Sequence, residues 1–215
     1  APPEESPVAW GLAELLLLGN GDMLLEQTVT LAEDLPPLPR VGVRLDVPGG
    51  YEHFCWFGRG PHESYPDRKT GAQLGCYHST VDAEYVPYIH PQEHGNKTDV
   101  RWVALSNPQG AGLMAVAHPF ADGAPAPLLN VSAQHLTAHD LAAAAHTFEL
   151  RRRQDIILNL DVAQAGLGSA ACGPGVLPQY ELTARSYHWR VLLRPLDPGM
   201  ADWGTLSKQR WTVAF

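Results

Sequence analysis

Cysteine is scarce, with Cys55, Cys76 and Cys172 the only three in 215 residues. An odd count without a C-x-x-C pair supports neither a disulfide framework nor a zinc motif; it fits a reducing, cytoplasmic compartment, with one bridge plus one free thiol as the alternative. Long apolar runs are missing as well. Leu15–Leu18 is far shorter than the roughly 20 residues that a spanning helix needs, and no charged-then-apolar leader precedes it. Neither a membrane anchor nor a signal peptide is therefore expected. Basic charge is in deficit, 15 Lys and Arg against 23 Asp and Glu, for a net charge of −8. That balance argues against nucleic acid, whose phosphates are held by an excess of Lys and Arg. Arg151-Arg152-Arg153 is the one basic run and reads as a solvated start to a strand. Internal repeats and low-complexity tracts are absent.

What is present is ordinary globular composition, 45% apolar and 18% charged, in a chain long enough to bury a full core. Residues 1–9, APPEESPVA, read as a loose end. Gly11–Leu18 and Met23–Leu31 flank Gly19-Asn20-Gly21-Asp22, a strong hairpin signal. Val41, Val43, Leu45 and Val47 alternate with Gly42, Arg44 and Asp46, the period of a strand with one buried face. Further strands are expected at Tyr51–Phe57, Asp99–Ser106, Gly112–Ala117, Leu128–Ser132, Asp155–Asp161 and Tyr180–Leu193. Thr137–His146 is the one expected helix, rich in alanine. Pro195–Phe215 shows no clear period. Many strands with turns at irregular spacing imply an all-β antiparallel sandwich or barrel.

Chemistry concentrates between Trp56 and Trp102. This stretch holds two Trp, four Tyr and one Phe among Glu63, Asp67, Arg68, Glu84, Glu93, Asp99 and Arg101. Rings that stack on a sugar face, beside groups that take its hydroxyls, belong on loops held by a rigid scaffold. Glu63, Asp67 and Arg68 are expected to pair with one another and pin their loop, outside the binding set. Glu63 and Glu93 could serve as the two carboxylates of a glycosidase. Structural pairing with Arg59, Arg68 or Arg101 is the reading preferred for them. His135, His139 and His146 lack a metal-ligand pattern and read as helix surface, and no metal or cofactor is expected. Cys172, with no base or helix N-terminus nearby in sequence, reads as a small buried hydrophobe rather than a nucleophile. Asn96-Lys97-Thr98 and Asn130-Val131-Ser132 match the glycosylation tripeptide.

Within this stretch WFGRGPHESYPDR, residues 56–68, resembles W-x-G-x-G-P-x-E-x-Y-x-D-R, a motif of the C-terminal domain of glycoside hydrolase family 2 β-galactosidases, made separately as the small chain of two-chain enzymes. Tyr85-Val-Pro-Tyr88 with Pro91-Gln-Glu93-His-Gly95-Asn96-Lys-Thr-Asp99-Val-Arg101-Trp102 resembles a second motif of that domain. Gly166-Leu-Gly168, Cys172-Gly-Pro174, Leu177-Pro-Gln-Tyr180 and Tyr187-His-Trp189 are similar to its closing motifs. The likeness covers about residues 15–195 in order. Three departures stand out. The family's Glu-Asn-Gly is here Glu93-His94-Gly95, and the Gly-rich loop GLGSAACGPG carries Cys172 nearest the place where some members have a Trp. The family domain also begins several strands before Trp10.

The resemblance implies a galactose-mutarotase-like supersandwich over residues 10–196, lacking its first strands, with 197–215 an unassigned tail. It implies a domain that walls the sugar pocket of a β-galactosidase while the catalytic glutamates lie on a separate barrel domain or large chain. The expected sugar-facing residues are Tyr65, Glu93, Asn96, Gly168 and Cys172. The missing strands imply an uncovered edge and association, as a homo-oligomer or with a partner chain. Two other functions fit the residues. One is a stand-alone carbohydrate-binding or interaction module. The other is an aldose-epimerase-like enzyme whose His and Glu converge in a concave pocket.

Overall fold

The structure, a computed structural model, describes residues 8–120, 122–169, 173–200 and 202–211. Eleven strands are β1 (Ala9–Leu17), β2 (Met23–Leu31), β3 (Arg40–Val47), β4 (His53–Gly60), β5 (Gln73–Thr80), β6 (Lys97–Val100), β7 (Trp102–Ser106), β8 (Gly112–Ala117), β9 (Leu129–Gln134), β10 (Ile156–Gln164) and β11 (Ser186–Leu196). Two short helices, α1 (Ala138–Ala143) and α2 (Trp203–Leu206), accompany them. A seven-stranded sheet runs β1-β2-β11-β8-β7-β4-β5, and a four-stranded sheet runs β3-β10-β9-β6. Every pairing is antiparallel. The protein is an all-β sandwich.

The expected hairpin joins β1 to β2, with Leu17 opposite Met23. In β3 the inward residues Val41, Val43, Leu45 and Val47 meet Leu158 and Leu160 of β10, Val131 of β9, and Phe54, Trp56 and Trp189 of the large sheet. A second apolar layer lies on the outer side of the large sheet. There Leu24, Trp102, Met114, Val116, Leu192 and Leu196 are covered by Leu206, Trp203 and Trp211. The central strands are thus buried on both faces, which explains why WVALS of β7 shows no alternation. It also gives the tail a place. Residues 202–211, which have no readable period, close that outer face.

The expected strand over Asp99–Ser106 is in fact two, β6 in the small sheet and β7 in the large one. Asp99 adopts φ 54°, a conformation that short polar side chains tolerate. Its carboxylate is gripped by Arg59 Nε at 2.5 Å and Lys69 Nζ at 3.1 Å. The Arg101 amide then donates to Phe57 O at 2.8 Å, carrying the chain from one sheet to the other. Strand β5 was not expected; its mixed sequence QLGCYHST occupies a half-exposed sheet edge. The expected helix is shorter than Thr137–His146, because the capping box of Thr137 and Asp140 starts it and extended backbone at Ala144 stops it. A second helix, α2, was also missed. In the Tyr180–Leu193 segment only Ser186 onward is strand. The loose end expected at residues 1–9 falls largely outside the described residues, and β1 already includes Ala9.

Candidate functional site

Three loops interlock at one end of the sandwich. Ser64 N donates to Asn96 O at 2.7 Å, and Asn96 Nδ2 donates back to Ser64 O at 2.8 Å. Asp67 accepts from the amides of Leu167 (3.2 Å) and Gly168 (2.8 Å), while Arg68 Nη2 donates to Gly168 O at 2.5 Å. Gly168 sits at φ 61°, and a Cβ there would lie 2.7 Å from Gly175 C, so the turn needs glycine. Asn96 and the Gly166–Gly168 turn therefore share one end of the molecule. Glu63, Asp67 and Arg68 do pin their loop, but not by pairing with each other as expected. Asp67 and Arg68 both hold the Leu167–Gly168 turn, and Glu63 reaches a different segment. Glu63 accepts from Gly95 N at 2.8 Å and from the Tyr88 hydroxyl. Beneath the loops Lys97 is wholly buried, 2.5 Å from Glu84, its ammonium 4.9 Å from the centre of the Trp56 ring.

Beside these loops the outward residues of the small sheet form a polar cleft. Arg40, Arg44, Ser132, Gln134, Asn159 and Asp161 line about 300 Å³ under α1, with Glu93 at its rim. Arg40 grips Asp161 with Nε at 2.9 Å and Nη2 at 2.5 Å. Gly42 makes room for this, since a Cβ there would lie 2.3 Å from Asp161 Oδ1. Burial pushes the Asp161 carboxyl up to about 6 against the pull of Arg40, and the charge of Glu93 adds to the rise. Glu93 is held loosely by comparison. Its contacts are Arg40 Nη1 at 3.4 Å, Gln164 Nε2 at 3.3 Å and the Tyr65 hydroxyl at 3.5 Å, and its side chain is 29% exposed.

Of the residues expected to face a sugar, Glu93 lies at the cleft, and Tyr65 directs its hydroxyl to Glu93 from a fully buried ring. Burial, reinforced by Glu93 and Glu63, raises the Tyr65 phenol, so the ring stays neutral and can donate. Asn96 is fully buried and braces Ser64, which also removes it as a glycosylation acceptor in the folded chain. Gly168 is half-buried in the clamp, and Cys172 lies outside the described residues. Glu93 pairs with Arg40, not with Arg59, Arg68 or Arg101; Arg59 instead holds Asp99. Arg40, Asp161 and Gln164 were missed. The signal was available in the period-2 polar face of β3 and β10, but nothing local joins residues 121 positions apart.

A separate cleft of about 430 Å³ holds His135, Asp82 and Arg152. His135 is buried at the end of β9, not on a helix surface; His139 is exposed on α1 as expected, and His146 is exposed but lies beyond the end of that helix. Its Nδ1 lies 3.0 Å from Asp155 O, and its Nε2 lies 2.8 Å from Glu52 Oε2 and 2.7 Å from Arg152 Nη2. A His and a Glu do meet here, yet both ring nitrogens are engaged. Glu52, Asp82 and His135 have ligand-like spacing. The Arg152 guanidinium already supplies their positive charge, pairing with Asp82 at 2.9 Å.

The family model of the β-galactosidase small chain matches residues 16–193. The chain belongs to this family. Among similar proteins, the β-galactosidase of Priestia megaterium is 34% identical over 182 residues, covering 84% of this chain and 17% of that protein. The β-galactosidase of Arthrobacter sp. is 44% identical over 144 residues, 67% of this chain and 14% of the relative. That of Kluyveromyces lactis is 38% identical over 157 residues, 72% and 14% respectively. The small-chain domain thus spans about one-sixth of the length of these relatives. The interlocked loops and the Glu93 rim both fall inside the matched segment.

Proposed function

We propose that this chain is the part of a β-galactosidase that walls its sugar pocket, supporting hydrolysis of terminal β-galactosides while the catalytic glutamates lie on a separate barrel domain. The observation that carries this reading is the contrast between Glu63 and Glu93. Glu63 is satisfied by a backbone amide and a phenol; among the described residues Glu93 has three contacts of 3.3 to 3.5 Å, and it reaches solvent. A carboxylate so held keeps acceptor capacity for hydroxyl donors. Arg40, spent mainly on Asp161, orients Glu93 without saturating it. Three buried polar atoms of the adjoining segments, His94 Nε2, Asn96 Oδ1 and Gln164 Oε1, have no partner among the described residues, which suits a surface completed by something else. Tyr65, Asn96, the Gly168 turn and Cys172 then belong to the wall and its support.

The test has two parts. The purified chain alone should not turn over a chromogenic β-galactoside, and turnover lost on Glu63→Gln or Glu93→Gln would overturn the division of labour. In the complete enzyme, Glu93→Gln should raise KM roughly tenfold, the worth of one hydrogen bond to a charged group, with kcat nearly unchanged. An unchanged KM would remove Glu93 from the wall.

A further inference from the structure

Two of the cysteines that seemed isolated in sequence meet on the outer face of the large sheet. In the β4–β5 pair, Cys55 lies opposite His78 and Phe57 opposite Cys76, so Cys55, Cys76 and His78 project to the same side. Their ligand atoms all lie within 4.8 Å of one another, with Cys55 Sγ 3.9 Å from His78 Nε2. A tetrahedral zinc ion with Zn–S near 2.3 Å and Zn–N near 2.0 Å requires S···N of roughly 3.6 Å and S···S of roughly 3.8 Å. The three groups are therefore within a small side-chain adjustment of that geometry. They border a cleft of about 810 Å³ that Trp102, Asp202 and Trp203 also line, leaving room for a fourth ligand. Cys55 is buried, while Cys76 and His78 are exposed.

We propose that Cys55, Cys76 and His78 form a zinc site, two thiolates and one imidazole, with the fourth position open to the cleft. Two thiolates balance the charge of the ion and the neutral imidazole adds none, so the site is electrically closed. Zinc binding must therefore release protons from the thiols, and affinity must rise with pH. The strands supply the rigidity, because both pairs belong to one continuous antiparallel ladder.

The experiment uses the full chain under reductant, stripped with chelator and titrated with zinc alone, then with cobalt as a spectroscopic stand-in. One equivalent of zinc should bind, with proton release revealed by the dependence of binding heat on buffer ionisation. Cobalt should show thiolate charge-transfer absorption and the visible bands of a tetrahedral centre. Cys76→Ser and His78→Ala, both at exposed positions that spare the core, should each weaken binding at least tenfold. No stoichiometric binding, or binding indifferent to Cys76→Ser and His78→Ala, would each overturn the site.

Discussion

Asp22 closes the first hairpin and is the point where three distant segments join. Arg194 of β11 donates to its carboxylate through Nε at 2.8 Å and Nη2 at 2.6 Å, and Trp211 Nε1 donates at 2.7 Å. The third arm, Arg194 Nη1, donates to Leu206 O at 2.6 Å, tying α2 to the sheet. The pair is dry, with side chains 1% and 4% exposed. Asp22→Asn keeps the shape but strands the guanidinium as a buried charge, at a cost of about 3–5 kcal/mol. Against a total stability of about 5–15 kcal/mol this is a large fraction. With a urea slope near 2 kcal/mol/M, the unfolding midpoint should fall by roughly 2 M. The double variant Asp22→Leu with Arg194→Met should recover at least half the loss, because no lone charge remains. Burial alone would raise the Asp22 carboxyl, but hydrogen bonds from Arg194, Asn20 and Trp211 outweigh it and hold it below the usual range. Its contribution is therefore complete above the ordinary carboxylate value and lost as pH falls through the lower folded value. Asp22→Asn should not show that acid loss. A cost below about 1 kcal/mol, or a double variant as unstable as the summed singles, would refute the clamp.

Asp161 carries the opposite sign. With its folded value raised to about 6 from 3.8, its contribution is present below pH 4 and lost as pH rises through 6, by up to about 3 kcal/mol. Denaturation across that window should show this slope and Asp161→Asn should flatten it; equal slopes would refute the assignment. Among the described residues strand β1 ends the large sheet, with Leu12 60% and Leu17 68% exposed, an apolar edge. Sedimentation should show concentration-dependent association that Leu12→Lys with Leu15→Lys reduces, and a clean monomer at high concentration would count against it.

Local pattern carried the strands well. The β1–β2 turn and the alternation of β3 were legible because hairpin chemistry and burial of one face act over a few neighbouring residues. The motif segments also placed the chain in its family and pointed to the loop end that carries Glu93. Other features depended on contacts made across the sequence. WVALS gave no face, since the tail covers one side of the sheet and the small sheet the other, and no short-range rule announces double burial. The break at Asp99 needed Arg59 and Lys69 to hold its carboxylate in place. Glu93 was legible as a residue but not as a partner of Arg40, 53 positions away. Cys55 and Cys76 stood apart in the sequence, and His78 carried no signal, until the register of one strand pair set the three side by side. Residue spacing encodes what a single strand or turn exposes, whereas the company each side chain keeps is set by which strands pair and which faces close.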